Sequence, residues 1–247
     1  MKKVIVIPAR LDSSRLPKKV LLDLKGKTVI QRVYEQCLKV KNIDGVYIAT
    51  DSPEIEGVCR SFTNHIILTK STHQSGTDRI GEAVAGIDCD IVVNVQGDEP
   101  FIDPNLIEEL VHSFDDDQVS MASAMSKIEN IKDLQDPNVV KVVVDSQNNS
   151  IYFSRAPIPF PRDHQEIIHS NEELKKHNFF RHIGIYGYQK DFLAKYIKMD
   201  QTNLEKLEKL EQLRVIENGF KIKMIEAASC LIGIDTQEDY EEALKKY

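Results

Sequence analysis

The residues best suited to chemistry fall in a few short segments. Pro8-Ala9-Arg10-Leu11-Asp12-Ser13-Ser14-Arg15-Leu16-Pro17-Lys18-Lys19 puts four cations and two hydroxyls into one stretch. Arginine offers forked donors and lysine a compact charge, a combination that neutralises a polyphosphate. The plainer reading is a solvated basic loop. Asn94-Val95-Gln96-Gly97-Asp98-Glu99-Pro100 gathers an amide, a glycine and an acid, and Asp98 is a natural magnesium ligand. Magnesium takes one or two carboxylates and completes its shell with phosphate oxygens and water. A second candidate acid is Asp235 in Gly233-Ile234-Asp235-Thr236, for which a helix N-cap is the first expectation. Ser75-Gly76-Thr77-Asp78-Arg79 suits either a base or ribose held by N–H groups and hydroxyls, or an ordinary helix cap. Phe179 to Tyr188 mixes aromatics, two cations and two glycines in a strand-like run, and Arg155, His182 and Tyr186 read together as a pocket for an acidic, hydroxylated substrate.

These segments need a frame. Val4 to Ile7, Val46 to Ala49, Ile66 to Leu68 and Ile91 to Val95 are short apolar, β-branched runs without polar alternation, as expected of strands covered on both faces. Helical patterns over Val29 to Leu38, Glu54 to Phe62 and Asp78 to Ala85 separate them. The alternation predicts a doubly wound α/β fold with a mostly parallel sheet, whose ligands bind outside the carboxyl ends of the strands. The basic loop and the Gln96-Gly97-Asp98 segment both follow such strands. Asp88-Cys89-Asp90 precedes one and is set aside as a turn. Gly26-Lys27-Thr28 supplies half a phosphate loop, but Leu21 stands where its first glycine is required.

Further along, Pro104 to Phe114 reads as a helix, and Val119 to Ala124, Val139 to Val144, Ile151 to Phe153 and Phe220 to Ala227 as strands. Pro157 to Asn178, with three prolines and many polar residues, reads as an inserted arm or lid. Asn203 to Glu217 reads as one helix carrying Leu204, Leu207, Leu210 and Leu213 and stopped by Asn218-Gly219, and a last helix opens at Asp235.

Of the 247 residues, 41% are hydrophobic and 29% charged, which excludes disorder and collagen-like repetition. Acids outnumber Lys and Arg by 39 to 32, and the formal charge of −7 speaks against nucleic acid and anionic membranes as partners. No apolar run reaches a membrane span, and Cys37, Cys59, Cys89 and Cys230 lack metal or disulfide spacing, so a reduced, cytoplasmic chain is expected.

Taken in order, the segments IPARLDSSRLPKK, ATD at 49–51, HQSGTDR at 73–79, VNVQGDEP at 93–100, PNVVKVV at 137–143, YFSRAPIP at 152–159, FRHIGIYGY at 180–188, LEKLEQLR at 207–214 and GID at 233–235 make the chain resemble the 3-deoxy-manno-octulosonate cytidylyltransferases, or CMP-Kdo synthetases, along essentially its whole length. The resemblance implies a nucleotide-diphospho-sugar transferase-like α/β fold. It implies transfer of CMP from CTP to the anomeric hydroxyl of Kdo with Mg2+, release of pyrophosphate and a place in lipopolysaccharide biosynthesis. By motif, Arg10, Ser13, Arg15 and Lys19 would hold the triphosphate, and Ser75 and Gly76 would help bind cytidine. Gln96, Arg155, His182, Tyr186, Glu211 and Gln212 would line the sugar site, and Asp98 and Asp235 would hold the metal. Arg10, Lys19, Asp98 and Asp235 form the implied catalytic set.

The resemblance also implies one cytidylyltransferase domain over 1–247, with an insertion at about 130–185 for sugar binding and dimer contact, and a homodimer. Glu211 and Gln212 would face substrate while Leu207, Leu210 and Leu213 stay in the core. Relatives commonly read R-L-P-G-K-P-L in the first loop. Here Lys18 replaces the glycine and Val20 the second proline, and the added charge either tightens triphosphate binding or faces solvent. Two other readings stand beside this one: a cytidylyltransferase for another acidic sugar, such as 8-amino-Kdo or sialic acid, and a non-catalytic nucleotide-sugar binder.

Overall fold

Val4, Ile5, Val6 and Ile7 are all buried because their strand β1, Lys3–Ala9, has a parallel neighbour on each side. The chain leaves β1 for α1, Val29–Cys37, and returns as β2, Gly45–Thr50, in register from Val4 opposite Gly45 to Ala9 opposite Thr50. Then come α2, Pro53–Cys59, and β3, Ile66–Leu68, which pairs with the outer side of β2. α3, Gly76–Val84, leads to β4, Ile91–Asn94, on the far side of β1, and α4, Pro104–His112, follows. Three of these helices start at a hydroxyl: Thr28, Ser52 and Ser75 accept the N–H groups of Gln31, Ile55 and Asp78. Thr28 is therefore a cap and Gly26, at φ 83°, a turn, which disposes of the half phosphate loop. The strand order β3-β2-β1-β4 is the mostly parallel α/β sheet expected, with its loops after Ala9, Thr50, Leu68 and Asn94 at one end.

The computed structural model describes residues 1–11, 15–73, 75–163, 167, 169–228 and 233–247. Its chain forms two units. The first comprises Met1–His112, Ile185–Ile197 and Leu231–Tyr247, and the second Ser113–Gly184 and Lys198–Cys230.

The second unit begins with β5, Met121–Lys127, and α5, Ile131–Gln135. β6, Lys141–Val144, and β7, Ser150–Ser154, form an antiparallel hairpin that turns at Asn148, φ 58°. After α6, Asn171–Leu174, the long strand β8, Phe180–Gln189, pairs its first residues with β6 in this unit, while its last residues run antiparallel to β4 in the first unit. α7, Lys190–Tyr196, belongs to the first unit. α8, Asn203–Glu208, α9, Leu213–Glu217, and β9, Lys223–Glu226, which is parallel to β5, complete the second. α10, Gln237–Lys246, closes the first.

Two expectations change. The helix predicted over 203–217 is two short helices, because Lys209 is left-handed at φ 55° and the Arg155 guanidinium binds the Glu208 and Lys209 carbonyls that a continuing helix would use. Leucines three apart also drift around a helix of 3.6 residues per turn, so they cannot share one stripe. Leu210 and Leu213 are buried as expected, but Leu207 is 79% exposed. The proline-rich stretch is likewise not all excursion. Ile167 and Leu174 join Ile128, Leu134 and Phe179 in a buried cluster, while Phe160 lies exposed. No helix among the described residues is long and apolar enough to cross a membrane.

Candidate active site

The 3-10 turn Lys19–Leu21 buries Val20 and leaves the Lys19 side chain only 15% exposed. Its ammonium contacts Asp98 and lies 2.6 Å from Asp235 Oδ1, while Asp235 Oδ2 accepts from Arg15 at 3.0 Å. Burial alone would lower the Lys19 pKa, but Asp98 and Asp235 outweigh it and hold the ammonium above its usual range. Burial would raise the Asp235 pKa, and Lys19 followed by Arg15 reverses that, keeping the carboxylate ionised.

Asp235 is available for this because it is not the helix N-cap expected from sequence. Thr236 caps α10, and Asp239 completes the capping box by accepting the N–H groups of Asp235 and Thr236 at 3.0 and 2.8 Å. The Ile234 N–H donates to the Asp98 carbonyl at 2.9 Å, which fastens the Gly233-Ile234-Asp235 segment beside Asp98.

Gly97 explains the glycine between Gln96 and Asp98. A Cβ there would sit 3.0 Å from the Pro8 carbonyl, so the segment approaches the end of β1 as closely as only glycine allows. That approach brings Gln96 to a cavity of about 100 Å³ lined also by Pro8, Ala9, Arg10, His73, Ser75, Gly76 and Arg79. Four expected residues, Arg10, Ser75, Gly76 and Gln96, thus share one cavity. Ser75 caps α3 and lines the cavity at once, so the two readings of it are compatible.

His73 and Arg79 were given no role by sequence, although both lie in the HQSGTDR segment. Arg79 is buried and fixed by Thr69 Oγ1 at 2.5 Å and Asp51 at 3.2 Å, which accounts for the acid of the ATD segment. His73 is held by Glu82, whose carboxylate also accepts the Lys70 N–H at 2.9 Å. Tyr186, opposite Asn94 in the β4–β8 pair, stacks on Tyr188 at 6.1 Å, and Asn94 accepts the Gln96 amide at 3.2 Å. Ser13 lies outside the described residues.

The remaining expected residues belong to the second unit. His182 Nε2 lies 2.9 Å from Ser123 Oγ, whose hydroxyl also reaches the Ile183 carbonyl at 3.3 Å, and the Gln212 amide lies 3.5 Å from Nδ1. An amide donating to Nδ1 and a Ser123 hydroxyl donating to a carbonyl assign the proton to Nε2. Enclosure of the ring pushes its pKa down to about 3, so His182 is neutral at physiological pH. Gln212 is buried, and Glu211 beside it is half-buried.

Arg155 has a further task besides any ligand. Its guanidinium donates to the carbonyls of Glu208 at 2.7 Å and Pro137 at 2.9 Å. The Glu208 carboxylate accepts the Arg155 N–H at 3.0 Å and the Ser154 hydroxyl at 2.6 Å. The sequence assigns Glu208 no role.

The donor set suits a hard divalent cation. Asp98 and Asp235 converge on one ammonium, so they share a point of negative potential that a cation can occupy. Among the described residues no group of three or more His, Cys, Asp or Glu could hold a metal by itself. Two carboxylates are what magnesium needs when phosphate oxygens and water supply the rest. Glu99, next in sequence, does not add a third charge: burial, with Asp98 and Asp235 adding to it, pushes its carboxyl up to about 8.

The sequence pattern of the cytidylyltransferase family matches residues 4–224. The chain is 48% identical over 248 residues to the 3-deoxy-manno-octulosonate cytidylyltransferase of Francisella tularensis subsp. holarctica (strain FTNF002-00 / FTA), covering 98% of this chain and 97% of that one. It is 41% identical to the protein of the same name from Trichlorobacter lovleyi, covering 100% and 98%. A solved structure of CMP:2-keto-3-deoxy-manno-octonic acid synthetase complexed with CTP superposes with a TM-score of 0.91 at 39% identity, over 100% of this chain and 98% of that one. A cytidylyltransferase from Leptospira borgpetersenii, at 17% identity and a TM-score of 0.62, shares the fold.

Proposed function

Because the chain belongs to the 3-deoxy-manno-octulosonate cytidylyltransferase family, we propose that it transfers CMP from CTP to the anomeric hydroxyl of Kdo and releases pyrophosphate. The observation that carries this reading is the convergence of Lys19 on Asp98 and Asp235, on the segment that also brings Gln96 into the cavity of Arg10, Ser75 and Gly76.

The chemistry follows from these groups. The sugar hydroxyl attacks the α-phosphorus as pyrophosphate departs in line, and no covalent enzyme intermediate is needed, so the protein contributes position and charge. Arg10, Arg15 and Lys19 neutralise the triphosphate, with Ser13 of the same loop as a further donor, and Lys19 balances the charge that grows on the leaving pyrophosphate. Ser75 and Gly76 hold the cytidine, with Arg79 keeping that wall of the cavity rigid through Asp51 and Thr69. Asp98 and Asp235 hold Mg2+, which when bound polarises phosphate oxygens. Gln96, Arg155, His182, Tyr186, Glu211 and Gln212 serve the acidic sugar. A neutral His182, oriented by Ser123 and Gln212, gives polar contact without adding a charge.

The product supplies lipopolysaccharide biosynthesis in the cytoplasm, and the working form is a homodimer to which the segment around the exposed Phe160 contributes. Sedimentation equilibrium is expected to give twice the chain mass, and Phe160→Asp to lower it.

The activity is tested by incubating the chain with CTP, Mg2+ and a panel of Kdo, 8-amino-Kdo and sialic acid, following pyrophosphate and product mass. CMP-Kdo as the main product is expected. Pyrophosphate release with another sugar alone would reassign the substrate, and CTP binding without release for any sugar would make the chain a binder. Chelation is expected to stop release and added Mg2+ to restore it.

A further inference from the structure

Lys18 stands in the left-handed region, at φ 53° and ψ 27°. Residues other than glycine are uncommon there because the Cβ crowds the backbone oxygen. It is nonetheless fixed on three sides. Its N–H donates to the Leu11 carbonyl at 3.3 Å, its carbonyl accepts from the Leu21 N–H at 2.8 Å, and its ammonium lies 2.7 and 2.8 Å from the two carboxylate oxygens of Glu54 in the first turn of α2. The neighbouring lysines therefore answer to different acids: Lys18 to Glu54, Lys19 to Asp98 and Asp235.

We propose that Lys18 and Glu54 form a brace that positions Lys19. Residue 18 is the cap of the 3-10 turn Lys19–Leu21, so its backbone conformation decides in which direction the Cα–Cβ bond of Lys19 leaves the chain. An ion pair to α2 keeps a lysine in a conformation it would otherwise leave, and with it the aim of the Lys19 ammonium at the two carboxylates. Lys18 is thus a positioning residue. Its charge is directed to a carboxylate of this chain rather than to the triphosphate. The pair is about half exposed, 56% for Lys18 and 46% for Glu54, and exposed pairs add little to global stability, so its effect is confined to local geometry.

The brace rests on the CTP-consuming reading for its catalytic consequence, and its test has a readout that does not. Lys18→Gln, Glu54→Gln, the double variant and Lys18→Gly are compared with the unaltered chain for kcat, KM for CTP and amide exchange at Leu21 and Leu22. Lys18→Gln and Glu54→Gln are each expected to lower kcat about 3- to 10-fold, since misplacing a catalytic group by an ångström costs up to about 10²-fold, with KM for CTP changed less than about twofold, whereas Lys18→Gly, free to adopt φ 53° without a brace, is expected to keep kcat. The double variant is expected to be no worse than either single one, because both remove the same interaction. Exchange at Leu21 and Leu22 is expected to quicken in the three glutamine-bearing variants and to change least in Lys18→Gly.

The proposal is overturned if Lys18→Gln raises KM for CTP while Glu54→Gln lowers it, which is the signature of a lysine that binds nucleotide when released. It is overturned equally if kcat and exchange in Lys18→Gln and Glu54→Gln stay at the level of the unaltered chain. Should the unaltered chain release no pyrophosphate, the catalytic reading fails and the exchange data still decide the brace.

Discussion

The Lys19 ammonium lies 2.6 Å from Asp235 Oδ1, although the two residues are 216 positions apart in the chain. The same ammonium touches Asp98, so one cation holds two acids that would otherwise repel each other.

Removing that cation separates charge from turnover. Lys19→Ala is expected to lower turnover by at least ~10², the scale for losing one electrostatic donor. It is also expected to tighten binding of Mn2+ in the absence of nucleotide, because Asp98 and Asp235 are left without a counter-charge. Calorimetric titration with Mn2+ beside a pyrophosphate assay checks both. Asp98→Ala is expected to lose turnover by a similar factor and to lose the Mn2+ site, and near-normal turnover in a well-folded Asp98→Ala protein would refute the metal assignment.

Gly97→Ala tests the close approach of the Gln96-Gly97-Asp98 segment to β1. The added Cβ would meet the Pro8 carbonyl at 3.0 Å, and backbone on both sides must yield. A loss of about 1–3 kcal/mol is expected from overpacking. The KM for CTP is expected to rise several-fold because Gln96 and Arg10 share the affected cavity. An unchanged KM would remove that cavity from the nucleotide site.

His182 makes stability depend on pH in one direction. Its folded pKa, about 3, is below the ordinary 6.5, so well above pH 6.5 both states are neutral. As the pH falls from 6.5 toward 3 the unfolded chain takes up a proton that the folded chain refuses, and stability is lost. Denaturation midpoints at pH 7 and pH 5 are expected to differ less in His182→Gln than in the unaltered chain. Equal differences would mean that the ring is solvated.

Glu205 and Arg214 form a buried pair, 7% and 9% exposed, with bonds of 2.8 and 2.5 Å that tie α8 to α9. Arg214→Met alone leaves a buried carboxylate unpaired and is expected to cost about 3–5 kcal/mol. Arg214→Met with Glu205→Leu is expected to recover most of that. Thermal melts of the two variants give the comparison, and a double variant as unstable as the single one would show that packing, not charge, is at stake.

Much of the first unit was legible in the sequence. Unbroken β-branched runs such as Val4 to Ile7 mark strands covered on both faces, and alternation with helices fixes a parallel sheet whose strand ends carry the ligand loops. The cations of Arg10, Arg15 and Lys19 and the acid Asp98 follow such strands in the sequence, which assigns them to one end of the sheet. The blocks of residues shared with relatives added the substrate and the reaction, which composition and periodicity do not encode.

What the sequence left open depended on contacts between distant residues. Asp235 and Thr236 are both good caps, and only the reach of Asp239 back to their N–H groups gives the cap to Thr236 and releases Asp235 to Lys19. The leucine pattern predicted one helix, but the Arg155 guanidinium, about fifty residues earlier, takes the carbonyls at Glu208 and Lys209. For Lys18 the sequence allows either a tighter hold on triphosphate or a place in solvent, and its ammonium meets Glu54 of α2 instead. Local propensity follows from the few residues on either side of a position, and so the sequence by itself determined the strands and helices of β1 to α4 and the chemical types at their ends. Which acid meets which base is set by chain segments that approach only on folding, and that pairing, with the protonation states and aims it imposes, was decided by the tertiary structure alone.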